Sequence, residues 1–399
     1  MSVLSALDPK RLFALVTLSL AVGCSSAAVG TPADEPAPTA FGERAKTTME
    51  APLAEEPAPA TSEVNEGTNV PASPETSAPP AIPMPYRGVN LAGGEFGNVL
   101  PGLEGIDYRW PTNANVDYYV SKGMNTFRIG FKWERVQPKA YGDLDAKYVA
   151  KLDALVTYAT AKGANVILNP HNFARYYGDV VGTTKVPSAA FADLWRRLAL
   201  RHGPNSRVMF NLVNEPNNLP TEQWVDAANA AIAAIRDTGA TNKIIVPGNG
   251  WTGAYSWAHD YYGTPNAKAM LDIVDPKDNV VFEVHQYLDA NSSGGSTECV
   301  SATIGRERLA PFVAWLRKHG KKGFVGEFAG GDNTMCNAAV TDMLSSMMEA
   351  SDVLEGWLWW AAGPAWGNSY PFSLDPRNGV DRPQMSLLVP YLAATAATL

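Results

Sequence analysis

From Tyr86 onward, short apolar runs alternate with longer amphipathic stretches. The apolar runs predict strands over 88–92, 126–129, 165–169, 208–213, 243–246, 279–284, 323–325 and 355–359. Between them apolar positions recur at helical spacing, most clearly over 147–162, 188–201, 221–237, 307–319 and 338–349. In the second of these stretches Phe191, Leu194, Trp195, Leu198 and Leu200 lie on a helical face. Strands that alternate with helices pair in parallel, because a parallel neighbour needs a long crossover. Eight of them predict an α/β fold, a (β/α)8 TIM barrel forming a single domain over 85–399, rather than an open doubly wound sheet. No G-x-G-x-x-G follows an early strand and no G-x-x-x-x-G-K-[ST] occurs, so nucleotide binding has no support.

Ahead of this domain the texture differs. Residues 25–84 hold eleven of the 30 prolines, no Trp, Tyr, His or Cys, and no apolar period. Such a segment cannot bury enough apolar surface to offset chain entropy, which predicts an extended, disordered linker. Nine acidic residues against Arg44 and Lys46 give residues 31–84 a charge of −7, out of −8 for the whole chain. Residues 85–399 carry only −2, so nothing suggests a basic face for nucleic acid.

Residues 1–24 read as a signal peptide: Lys10 and Arg11 precede an apolar stretch over 12–22, too short to span a bilayer. It ends in Ala21-Val22-Gly23-Cys24, which resembles the bacterial lipoprotein box, although that box usually has Leu where this chain has Ala21. The resemblance implies lipidation of Cys24 and an exported protein, either anchored to the outer membrane facing outward or secreted; ordinary cleavage after Ala27 or Ala28 is the alternative. No later run is long and apolar enough for a transmembrane helix. Removing or lipidating Cys24 leaves Cys299 and Cys336, expected in the loops after the sixth and seventh strands, which an oxidising compartment permits to pair; two separate thiols are the alternative.

In a βα barrel the residues just past the strand ends form the active face. Polar and aromatic residues collect there: Arg128, His171, Asn214 with Glu215, Trp251, His285 with Tyr287, Glu327 and Trp360. Glu215 in N-L-V-N-E-P and Glu327 in G-F-V-G-E-F each end an apolar run, where a charge is costly without partners. Strands four and seven lie across the barrel mouth from each other, so these two carboxylates can approach as closely as a double-displacement glycosidase needs. A cation beside one of them keeps it ionised, and Arg128 is suitably placed.

These segments resemble glycoside hydrolase family 5, in its endo-β-1,4-glucanase branch. The matching runs are G-V-N-L-A-G-G-E-F-G at 88–97, F-R-I-G-F-K-W-E-R-V-Q-P at 127–138, N-P-H-N-F-A-R-Y-Y-G at 169–178, N-L-V-N-E-P at 211–216, G-N-G-W-T-G-A at 248–254, H-Q-Y-L-D at 285–289, V-G-E-F at 325–328 and W-L-W-W-A-A-G-P at 357–364. The resemblance implies a retaining cellulase with no metal or organic cofactor, acting on a cellulose-type polysaccharide as a monomer. Glu215 would be acid/base and Glu327 nucleophile. Arg128 and Tyr287 would hold the nucleophile, Asn214 the sugar 2-hydroxyl. His171 and His285 would line the same subsite, with Trp360 as its floor and Trp251 as a platform on the leaving-group side. The same mechanism on mannan, mixed-linkage glucan or xyloglucan is the near alternative; a lipid-anchored, non-catalytic glycan-binding protein is the distant one. One departure is Ala365 after Pro364, where the branch often has a further Trp; Trp366 follows.

Other polar residues have plainer expected roles. Glu134 reads as a rim ion pair, Glu283 as an acid inside the barrel, and His202, His259 and His319 as surface histidines. Trp133, Tyr176 and Tyr177 are either sugar contacts or rim packing; Glu95 and Asp289 either touch substrate or are solvated in loops.

Overall fold

The computed structural model describes residues 84–392; the expected signal segment, Cys24 and the linker as far as residue 83 lie outside the described residues, as do 393–399. Met84, expected to end the linker, is buried in the core at 1% exposure.

The strands are β1 (Tyr86–Gly94), β2 (Thr126–Phe131), β3 (Asn165–Pro170), β4 (Arg175–Tyr176), β5 (Asp179–Val180), β6 (Val208–Asn211), β7 (Ile244–Pro247), β8 (Val280–His285), β9 (Gly323–Phe328) and β10 (Leu354–Ala362). All but β4 and β5, a short antiparallel hairpin, close into a parallel barrel in the order β1-β10-β9-β8-β7-β6-β3-β2. This is the predicted (β/α)8 barrel, with each barrel strand beside the next one in sequence.

The helices are α1 (Asn113–Ser121), α2 (Trp133–Val136), α3 (Ala146–Ala161), α4 (Ser188–His202), α5 (Thr221–Asp237), α6 (Asn266–Ala269), α7 (Ile304–His319), α8 (Thr334–Glu349) and α9 (Pro383–Leu392). The five predicted helices are α3, α4, α5, α7 and α8. Helix α1 was not predicted because only Val116 and Tyr119 along it are buried, too few to show a period. Its start is nonetheless written locally: the Thr112 side chain accepts from the Asn115 N–H, and the Asn115 side chain accepts from the Thr112 N–H. The crossover from β7 to β8 has no full helix. A loop over 248–265 leads into α6, which is a single turn continued by the 3-10 segment Met270–Asp272.

The barrel interior is layered. Ile167, Met209, Ile245, Val281, Phe324 and Leu358 form an apolar plug, separate from the larger core between strands and helices. Side chains on a strand alternate with period two, so the next inward positions after Ile167, Met209 and Val281 are Asn169, Asn211 and Glu283, all buried. The interior therefore turns from apolar to polar toward the C-terminal ends of the strands.

Strand β9 breaks this alternation. It pairs Val325 with Val284 but then Glu327 with His285, and on its other side Val325 with Trp357 but then Phe328 with Trp359. Phe324 belongs to the interior plug, so strict alternation would send Glu327 outward. The register slip is a bulge that turns it back into the mouth.

Two plain expectations change here. His202 is buried at 5% exposure, 3.4 Å from Asp153, and burial lowers its pKa to about 4. It is a core histidine rather than a surface one, because the last turn of α4 stays buried there, with Asp153 of α3 beside it. Cys336 lies in the first turn of α8 rather than in a loop, and it is joined to Cys299 by a disulfide. The bond ties α8 to the loop after β8 across 37 residues. Closing a loop of that length removes roughly 4 kcal/mol of unfolded-chain entropy. Replacing both cysteines by serine is expected to lower the melting temperature by several degrees while leaving activity at room temperature; an unchanged melting curve would contradict a stabilising role.

Candidate active site

The mouth of the barrel is built around one buried guanidinium. Arg128, on β2 and 1% exposed, donates Nε to Asn211 at 2.9 Å, Nη1 to Asn90 at 2.9 Å and to Glu327 at 2.8 Å, and Nη2 to Asn214 at 2.6 Å. Four acceptors from β1, β6, the loop after β6 and β9 thus share one planar cation. The fixed fork of arginine suits this, and lysine cannot reproduce it. Asn90 is held in turn, its Nδ2 donating to the carbonyls of Gly326 and Trp359.

Glu327 receives a second donor: the Tyr287 hydroxyl gives a hydrogen bond to Oε2 at 2.7 Å. Across the mouth, Glu215 meets His285 Nδ1 at 2.7 Å, and the same nitrogen lies 3.4 Å from Glu327 Oε2. Glu215 is at φ 41°, a left-handed conformation that a non-glycine residue adopts only where the surroundings hold it. The following Pro216 accepts a hydrogen bond from the Trp251 N–H, which ties the Glu215 loop to the loop after β7. Glu215, His285 and Glu327 each present an atom within 4.8 Å of the others. That spacing could hold a cation, but Arg128 already supplies a positive charge to Glu327 at hydrogen-bonding distance.

The aromatic residues frame this centre. Trp360 is stacked at 5.5 Å and 23° on His171, which is half-buried at the end of β3. Trp366 meets Trp360 edge-on and stacks on Tyr370 at 3.8 Å and 10°. Trp251 stands 6.0 Å from Tyr262, beside an open cavity of about 520 Å³ lined by Asn218, Leu219, Pro220, Tyr262 and Gly263.

A family model described as Cellulase (glycosyl hydrolase family 5) matches residues 87–363. The chain belongs to glycoside hydrolase family 5. Among curated proteins it is similar to Endoglucanase gh5-1 of Neurospora crassa, 43% identical over 74% of this chain and 73% of that one. It is also similar to Endo-beta-1,4-glucanase B of Aspergillus niger, 41% identical over 74% of this chain and 86% of that one. Among solved structures, the endo-beta-1,4-glucanase Xac0029 of Xanthomonas axonopodis pv. citri is 48% identical with a TM-score of 0.76, over 77% of this chain and 98% of that one. XacCel5A in complex with cellopentaose is 46% identical with a TM-score of 0.76, over 77% and 99%.

Charge in this family 5 site is strongly coupled. Burial pushes Glu327 above the usual carboxylate range, and His285 and Arg128 act against it. Burial also opposes charge on His285, but Glu327, Glu215 and Glu283 outweigh it and raise its pKa to about 9. His171 goes the other way: burial, reinforced by Arg128, Lys132 and His285, holds it well below the ordinary value, hence neutral.

The structure brings Arg128, His171, Asn214, Glu215, His285, Tyr287, Glu327 and Trp360 to one mouth, with Trp251 on the adjoining loop. Several neighbouring residues turn out to support loops. Glu134 accepts from Asn172 Nδ2 at 2.6 Å and the Tyr177 N–H at 2.7 Å, so amide donors replace the expected ion pair. Asp289 is buried and accepts from the Gly294 and Gly295 N–H groups, and Glu95 is buried and accepts from the Gly93 N–H. Trp133 and Tyr176 are buried packing residues, while Tyr177 is 50% exposed on the rim. Asn90 and Asn211 were missed as ligands of Arg128. Their signal was a polar residue at an inward strand position, beside strands otherwise read only for apolar length. Substituting Arg128→Lys keeps the charge and strips acceptors of their donors. The expected cost is roughly 2 kcal/mol or more in chemical denaturation; a stability loss near zero would show that the network tolerates a point charge.

Proposed function

We propose that this protein is a retaining endo-β-1,4-glucanase that hydrolyses internal bonds of cellulose-type chains by double displacement. The observation that carries this is the facing of Glu215 and Glu327, whose nearest oxygens lie within 4.8 Å. Retaining glycosidases hold their carboxyls about 5–5.5 Å apart, whereas inverting ones leave roughly 6.5–9.5 Å for a water.

In the first step an oxygen of Glu327 attacks the anomeric carbon while Glu215 gives its proton to the departing glycosidic oxygen. In the second, Glu215 takes a proton from water, the water oxygen bonds to the anomeric carbon, and Glu327 is released as a carboxylate. Arg128 and Tyr287 aim the Glu327 oxygens and stabilise their charge. Asn214, fixed by Arg128, is the partner of the sugar 2-hydroxyl, a contact that strengthens toward the transition state. His171 and His285 line the same subsite. Trp360 offers a flat apolar surface to the pyranose face, and the Trp366–Tyr370 stack extends it where Ala365 lacks a ring. Trp251 serves the leaving-group sugar. A neutral polysaccharide suits a domain whose sequence from residue 85 carries only −2.

Substituting Glu327→Ala is expected to lower kcat by about a thousandfold or more. A variant retaining wild-type hydrolysis would sink the assignment. NMR of the first reducing sugar released from a soluble cello-oligosaccharide should show the β anomer; the α anomer would refute double displacement.

The export signal and the linker add a location to this activity. The arrangement of Lys10, Arg11, the apolar 12–22 run and Cys24 supports an exported enzyme lipidated at Cys24 and tethered to the outer membrane through 25–84, or released from it. Mass spectrometry of the mature N-terminus distinguishes these: a diacylglyceryl mass on Cys24 is expected, and a free terminus beyond Ala27 would overturn the anchor.

A further inference from the structure

Glu283 takes no part in the steps above, yet it is the most deeply placed acid of the mouth. It lies on β8 two residues before His285 and is 1% exposed. Its Oε2 accepts from Asn211 Nδ2 at 2.6 Å. Its Oε1 lies 3.5 Å from Arg128 Nε and 3.5 Å from His285 Nε2. The space it occupies is reserved by sequence: a Cβ on Gly326, directly before the nucleophile, would fall 2.0 Å from Glu283 Oε1. Burying a carboxylate costs several kcal/mol unless cations face it, and here Arg128 and His285 both do. Burial works against its charge, but Arg128 and His285 prevail and hold it below the usual carboxylate range.

The groups facing His285 are Glu215 from the loop after β6, Glu327 from β9, His171 from the end of β3 and Glu283 below it, while Arg128 from β2 faces Glu283 and Glu327. During the first step a negative charge leaves Glu327, as its oxygen bonds to the anomeric carbon. One appears on Glu215, as its proton passes to the leaving oxygen. His285 Nδ1 reaches both carboxylates, at 3.4 and 2.7 Å. With Arg128 and His285 as cations and Glu283 as an anion, the buried cluster is neutral before and after that transfer. Without the charge on Glu283 it is positive in both states, and His285 is the group that can shed a proton in response.

We propose that Glu283 is a positioning residue that holds His285 as an imidazolium through both steps, so that one unchanging cation receives the charge as it moves from Glu327 to Glu215. This rests on the roles given to Glu215 and Glu327 above, but its test is separate from theirs.

The test is nitrogen NMR of the full chain labelled with ¹⁵N-histidine, with His285→Gln used to assign the His285 signals. In the wild type both ring nitrogens of His285 should show protonated shifts at pH 7. In Glu283→Gln, whose amide oxygen can still accept from Asn211, the His285 midpoint should fall by about one pH unit or more. The alkaline limb of the kcat profile should move down by the same shift, so that kcat near pH 9 drops severalfold with KM little changed, while kcat at pH 7 changes little. A residue that only packed would lower the melting temperature without moving the midpoint. A neutral His285 in the wild type at pH 7 overturns the proposal whether or not the variant folds, as does an unshifted midpoint in folded Glu283→Gln. Failure of the catalytic assignment reads out differently, as activity surviving Glu327→Ala.

Discussion

The organising constraint is the burial of ionised carboxylates. Glu283 and Glu327 sit inside the barrel at 1% and 3% exposure, and Glu215 stands at their edge. Acids at this depth stay ionised only beside compensating cations. Arg128 answers that need at the centre, and its fork spreads a single charge over contacts with β1, β6, β9 and the loop that carries Asn214. The same bonds that hold the Glu327 carboxylate also fix the relative positions of these strand ends. Removing the guanidinium would therefore disturb shape and charge together, which is why electrostatics and architecture cannot be assigned to different residues here.

Much of this was legible in the amino-acid order. The barrel strands and five of the longer helices follow from apolar spacing alone, because each faces a core on a defined side. The polar rim was legible for the same reason: Glu215 and Glu327 interrupt runs that would otherwise be buried and apolar. What stayed hidden was set by backbone geometry or by distant partners. The bulge in β9 that redirects Glu327 leaves no pattern of its own beyond a glycine, and Gly326 acquires its meaning only from Glu283, a neighbour in space on β8. Glu134 looks like half an ion pair in sequence; only the fold reveals that Asn172 and the Tyr177 backbone reach it first.

The mouth is also asymmetric in how it is supported. On the side of Trp360 the aromatic surfaces rise from β10 and the segment after it, where Trp366 and Tyr370 stack on each other. On the opposite side no full helix follows β7, and the wall is a loop whose shape depends on left-handed residues, Trp251 at φ 57° and Thr252 at φ 50°. Such a conformation is costly for side chains of this size, so it persists because surrounding bonds over-determine it.

Those bonds carry a consequence of their own. The His285 N–H donates to the Thr252 carbonyl and the Ala254 N–H to the His285 carbonyl, while the Trp251 N–H reaches Pro216. Trp251 and Glu215 are thereby clamped to the same short stretches of main chain. The loop acts as a ruler: it sets a fixed offset between the Trp251 indole and Glu215, and under the function proposed above that offset would decide where along a polymer the cut falls.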